Sequence, residues 1–286
     1  TQIQYSGAYN ADNWLQILKD KEVTVWYTAP TALRMLMQEE NEKFAIIQSN
    51  CLKRIYSVGE PLNPEIYFWG KKTFGQEIYD NWFQSETGSI MISNRPGLEV
   101  KPGSMGKPRS GIKPTIISDD QRPVAAGEHG NLAVQRGWNS MFRSYYKRED
   151  AYAEKFWGEL YITGDLAYQD EDGYFWYVSR SDDVINTAGH LVGPFEVESA
   201  LLEIEEIGDA AVIGVDDELL HKKIIAFVVT RNNLAWDKHL ELKSRIYISN
   251  KVSTVATPAE FIPIEKIPKN QSGKILRRVL RALYEG

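Results

Sequence analysis

A chain of 286 residues, 43% of them hydrophobic and with eight tryptophans, can fill the cores of about two domains. Its net charge of −6 excludes the basic stripe that a nucleic-acid surface needs, so no nucleic-acid partner is expected. No run reaches the ~18 apolar residues of a membrane span, Thr1 to Gln4 lacks the parts of a signal peptide, and the single cysteine, Cys51, fits a reducing compartment, so the chain reads as cytoplasmic and without a membrane partner.

The opening, at Thr1 rather than Met, reads as the interior of a domain. Trp14, Leu15, Ile17 and Leu18 make a helical stripe, and 23–27 is a β-branched and aromatic run. Pro30 stands where a helix through Leu33, Leu36 and Met37 would begin. Cys51 has no metal-ligand neighbour and is expected to be buried. A strand at 54–58, a helix at 64–74 and a short strand at 77–80 follow, and such alternation implies parallel strands with crossover helices.

After Gly88 the composition changes. Short β-rich runs at 114–118, 131–135, 160–163 and 174–178 are separated by turn residues, as in a small barrel or sandwich, and Asp172-Gly173 is the best hairpin signal. From Asp182 onward helix (195–202), strands (210–215 and 224–230), helix (239–250), strand (260–264) and helix (274–283) make a compact α+β unit. The expected architecture is α/β plus α+β: residues 1–181 form part of a large domain (1–90 α/β, 91–181 β-rich and barrel-like), and 182–286 form a small mobile domain.

Five segments could carry chemistry. Gly59-Glu60-Pro61 follows a strand, where parallel sheets bind ligands, or is simply a turn. In the segment from Asp80 to Gly88, Phe83 could wall an apolar pocket and Glu86 could hold a hard cation; a capped loop is the plainer account. Asp165, after Gly164, could accept two ribose hydroxyls or sit in a β-turn. The segment from Arg180 to His190, with tandem aspartates, marks a boundary suited to a hinge or a polar linker. Lys274, after Ser272-Gly273, could project from a bendable corner with Ile275, Leu276, Val279 and Leu280 as its helical anchor, or be a solvated lysine at a helix start. No Gly-x-x-x-x-Gly-Lys-Ser/Thr phosphate cradle, metal-spaced histidine set or Gly-x-Ser-x-Gly elbow occurs.

In this order the segments resemble the adenylate-forming acyl-CoA synthetases, and among them the short-chain, acetyl-CoA synthetase-like members. The match runs through 27–32, 58–65, 101–108, 163–167, 170–176 and Pro268-Lys269 to Arg278. The resemblance implies an acid–thiol ligase: a small carboxylic acid, acetate being favoured, attacks Mg-ATP to give acyl-adenylate and pyrophosphate, and coenzyme A then displaces AMP. It implies that Gly59, Glu60, Pro61 and Asp80 contact the adenine, Ser85 the phosphate, Asp165 the ribose and Arg180 the nucleotide, while Glu86 serves Mg2+. Lys274 would neutralise the reacting carboxylate and phosphate, Phe83 would floor the acyl pocket, Asp182 would be the hinge, and Gly189 would lie on the CoA side. Leu191, Ser179 and Ala188 stand where relatives usually carry arginine, glycine and serine. The resemblance further implies that an amino-terminal segment or chain completes the large domain. The alternative is a non-catalytic truncated remnant that at most binds AMP or a partner chain.

Overall fold

The computed structural model describes every residue except 8–9, 48–50 and 271–273. The expected Ser272-Gly273 corner therefore lies outside the described residues. Three sheets follow one another along the chain.

The first sheet runs β1 (Val25–Thr28), β2 (Arg54–Ser57), β3 (Ile78–Trp82), β4 (Ile92–Ser93), β5 (Lys107–Pro108) in that order, the first three parallel and the last two antiparallel additions. Helices α1 (Ala11–Asp20), α2 (Pro30–Leu36) and α3 (Pro64–Phe74) cover one face. Asn10 caps α1 by accepting from the Asn13 amide at 2.8 Å, proline opens α2 and α3, and Gly75, at φ 66°, ends α3 in the left-handed conformation that helix ends favour. Period-two alternation puts Trp26, Ile55 and Ile78 into this core with Leu15, Leu33, Leu36 and Ile66. The other face carries Tyr27, Tyr56 and Tyr79 as a ladder, with centroids 6.2 and 5.5 Å apart.

The second sheet, antiparallel, contains β6 (Pro114–Ile117), β7 (Gly130–Gln135), β8 (Phe156–Trp157), β9 (Leu160–Gln169) and β10 (Phe175–Arg180) in the order β10-β9-β7-β6, with β8 also on β9, and short α4 (Glu149–Ala153) precedes β8. The Asp172-Gly173 turn joins β9 to β10 as expected. β6 and β10 are its two ends, so the β-rich, barrel-like part is a partial, half-barrel sheet.

The third sheet is built on the β13 (Ile207–Asp217)/β14 (His221–Thr230) hairpin, flanked by the small hairpin β11 (Ile185–Thr187)/β12 (His190–Val192) and by β15 (Glu260–Pro263), parallel to β14. Alternation along β13 sends Ala210 and Val212 toward α5 (Pro194–Leu202) and α6 (Lys238–Lys251), and Ala211 and Ile213 toward Ile267 and Leu280 of α7 (Arg277–Glu285).

Two expectations are corrected. Cys51 is exposed in the segment that precedes β2. The last helix starts at Arg277, not at residue 274: Lys269 and Ile275 form an antiparallel bridge, the Asn270 amide donates to the Lys274 carbonyl, and the Leu276 amide donates to that of Pro268. Those backbone groups are committed to extended pairing, which a helix cannot share.

Candidate active site

The carboxyl ends of β2 and β3, the β9–β10 edge and the third unit enclose a cleft of about 270 Å³. Gly59, Glu60, Pro61, Asp80, Phe83, Asp165, Arg180 and Lys274 all line it. Four other expected residues do not: Ser85 and Glu86 sit on the loop beyond Gln84, Asp182 is exposed after β10, and Gly189 is in the β11–β12 turn. Sequence reasoning gave no role to Trp82, Gln84, Arg34, Tyr177, Glu198 or Arg277, which line the cleft as well. Trp82 and Gln84 lay inside a recognised motif, but single strands give no sign of what their side chains meet.

Asp165 organises one wall. Its Oδ2 accepts from Trp82 Nε1 and Gln84 Nε2, both at 2.9 Å, and its Oδ1 accepts from Arg180 at 2.9 Å. Tyr161 in turn donates to Gln84 Oε1 at 2.7 Å, which fixes the amide's orientation. Burial pushes the Asp165 carboxyl up, against the pull of Arg180 and the donated hydrogen bonds. A carboxylate has about four acceptor sites, so roughly one remains for a ligand hydroxyl. Gly164 makes this wall possible: its φ is 76°, and a Cβ there would sit 3.2 Å from the Arg180 guanidinium.

The opposite wall is acidic and under-bonded. Asp80, 5% exposed, is pushed up to about 8 by burial, with the nearby Glu60 charge adding to the effect. Glu60 accepts from Thr31 Oγ1 at 2.8 Å and is likewise raised, chiefly by burial. Glu60 Oε1 and Thr28 Oγ1 are buried without a hydrogen-bond partner among the described residues. Orphaned polar atoms are costly inside a protein, and a polar ligand in the cleft would relieve the cost. Phe83, 39% exposed, supplies apolar surface.

Lys274 enters from the third unit. Its amide donates to Asn270 Oδ1 at 2.9 Å, while its side chain is exposed at the cleft and has no ion-pair partner among the described residues. Behind it, Arg277 is held by Glu198 at 2.6 Å and by the Val212 carbonyl at 3.2 Å. Among the described residues no three His, Cys, Asp or Glu side chains gather as a metal set. Glu86, which accepts from Tyr145 at 2.6 Å, is a lone carboxylate. That suits magnesium, which commonly takes one or two carboxylates and completes its shell with substrate phosphates and water.

A parallel-sheet edge with a turn at its carboxyl end, a buried aspartate wall and a lysine from a separate α+β unit meet at this one cleft. The chain belongs to the AMP-binding enzyme family: its model matches residues 3–146, and the model of the AMP-binding enzyme C-terminal domain matches residues 196–274. Among curated relatives it is 41% identical over 283 residues to an acetyl-coenzyme A synthetase of Bacillus subtilis (strain 168), covering 99% of this chain and 50% of the relative. A Chlorobaculum tepidum acetyl-coenzyme A synthetase is 39% identical over 293 residues, covering 99% and 44%. The chain thus spans about half the length of the curated relatives it matches. Among solved structures, the anthranilate CoA ligase AuaEII in complex with anthranoyl-AMP superposes with a TM-score of 0.87 at 30% identity, over 96% of this chain and 52% of that one. A benzoate CoA ligase from Burkholderia xenovorans LB400 gives 0.86 at 29%, over 96% and 54%.

Proposed function

We propose that this chain supplies the nucleotide cleft and the catalytic lysine of a short-chain acid–thiol ligase, which joins acetate or a similarly small acid to coenzyme A through an acyl-adenylate. The observation that carries this reading is convergence: Gly59 to Pro61, Asp80, Phe83, Asp165, Arg180 and Lys274, scattered over more than half the chain, line one cleft. A carboxylate is a poor electrophile, so transfer of AMP from ATP gives it a leaving group, and positioning plus charge neutralisation can supply most of the rate. In this reading Gly59 to Pro61 and Asp80 hold the adenine, Asp165 the ribose and Arg180 the phosphate side. Ser85 and Glu86, just beyond the cleft, serve the phosphates and Mg2+. Phe83 limits the length of the acid. Lys274 neutralises the reacting oxygens.

Residues 182–286 would act as a small mobile domain turning about Asp182, which exchanges the Lys274 face for one bearing Gly189 when coenzyme A attacks. Gly189 lies outside the cleft while Lys274 lies at it, which supports this reading. An amino-terminal segment like that of the longer relatives would complete the large domain, and the reaction would take place in the cytoplasm. The test joins this chain to the amino-terminal half of the Bacillus subtilis relative and follows both half-reactions with acetate, ATP and coenzyme A. Lys274→Ala should cut acetyl-adenylate formation roughly 100- to 1,000-fold and spare thioester formation from supplied acetyl-adenylate. Equal loss of both halves would reject the assignment. A fusion that binds AMP but makes no adenylate would favour the non-catalytic reading.

A further inference from the structure

We propose that Asp209 is a positioning residue that couples the seating of the carboxyl-terminal unit to the delivery of Lys274; this rests on the reading of Lys274 given above. Asp209 follows a register irregularity in β13, between Ile207 and Asp209, and such bulges re-aim side chains. Its Oδ2 lies 2.6 Å from Lys269 Nζ and its Oδ1 3.5 Å from Arg34, with all three side chains under 20% exposed, at 17%, 15% and 12% respectively.

The two cations belong to different parts of the molecule. Arg34 is on α2, lines the cleft and also donates to Asn63 Oδ1 at 3.1 Å. Lys269 is the root of the Lys274 loop: it bridges to Ile275, and the next residue, Asn270, bonds both the amide and the carbonyl of Lys274. One carboxylate therefore neutralises a cation on the cleft platform and a cation on the stem of the lysine loop. Without it, two part-buried positive charges face each other and separation of the units is favoured. Asn63, which donates to Ser199 Oγ at 2.7 Å, and Glu65, 3.3 Å from Arg231, also join the units but touch neither Asp209 nor the loop.

Cross-linking and half-reaction kinetics test the proposal separately. In a Cys51→Ser background, an Asn63→Cys/Ser199→Cys pair reports closure of the units through its rate of cross-linking by a short bis-methanethiosulfonate. The pair removes the Arg34–Asn63 contact but leaves the Arg34–Asp209–Lys269 bridge in place. Asp209→Asn should slow cross-linking about tenfold, as coupled charged groups at a contact do, whereas Asp209→Glu, which keeps the charge, should stay within about threefold of the parent. Unchanged cross-linking in Asp209→Asn overturns the proposal. If Asp209→Asn fails to fold by far-ultraviolet circular dichroism, Arg34→Gln breaks the same link from the other side and carries the same expectations.

In the fusion described above, Lys269→Met should lower kcat for acetyl-adenylate formation about tenfold and leave thioester formation from supplied acetyl-adenylate unchanged. A general structural fault would lower both, and that result also overturns the positioning role. An inactive parent fusion would count against the proposed reaction alone, since the cross-linking arm needs no chemistry.

Discussion

Replacing Asp80 by Asn should make the protein more stable above neutral pH and should leave it little changed in acid. An unperturbed Asp ionises near 3.8, and burial holds the Asp80 carboxyl up at about 8. Between these values the unfolded chain has released a proton that the folded chain still holds. The sign follows: the stability from the neutral, buried carboxyl is fully present below about pH 4 and is lost as pH rises toward 8. At about 1.4 kcal/mol per unit, the wild type should fall relative to the neutral, nearly isosteric Asp80→Asn chain by on the order of 4 kcal/mol between pH 4 and pH 7. Water penetration in the half-open cleft makes this an upper figure. Urea unfolding of both chains at pH 4, 5.5, 7 and 8 measures the difference directly. A gap that stays constant across this range would refute the reasoning, because it would mean that Asp80 ionises alike in the folded and unfolded states. The same substitution puts an amide where the cleft now holds a carboxyl, so AMP affinity should fall at every pH.

Asp165→Asn leaves Arg180 facing a neutral group that still receives the Trp82 and Gln84 donors. It should cost about 3 kcal/mol by urea unfolding and abolish AMP binding by calorimetry, whereas wild-type stability would dismiss Asp165 as the anchor of that wall. Phe83→Gly opens the cleft and should let the fused enzyme accept longer acids, each methylene being worth about 1–3 kcal/mol; an unchanged chain-length profile would remove Phe83 from the acyl pocket. Ala188 sits at φ 50° beside Gly189 at 80° in the β11–β12 turn. A left-handed non-glycine residue costs roughly 1–2 kcal/mol, so Ala188→Gly should raise stability by about 1 kcal/mol in the same urea assay, and a loss would contradict the strain.

Local pattern alone placed α1, α2, α3, the parallel core of the first sheet and the strands β13 and β14, because periodicity and punctuation by Pro, Gly and Asp-Gly act within a few residues. Motif order also named eight residues that the cleft gathers. The two-residue strands β4, β5 and β8 were not legible, since such short pieces carry no period and exist only through their partners. The start of the last helix was misplaced for a related reason: Ile275, Leu276, Val279 and Leu280 keep helical spacing, yet Lys269 and Ile275 bridge as an extended pair, with the Asn270 and Leu276 amides bonded across it.

The sequence by itself determined which segments fold locally, which family they belong to and which side chains could meet a nucleotide, because those properties follow from residue type and spacing. Tertiary structure alone decided that Asp165 is held by Trp82, Gln84 and Arg180, that burial raises the Asp80 carboxyl, and that Asp209 ties Arg34 to Lys269. Charge interactions and desolvation depend on distances through space and on exclusion of water, and neither is set by separation along the chain.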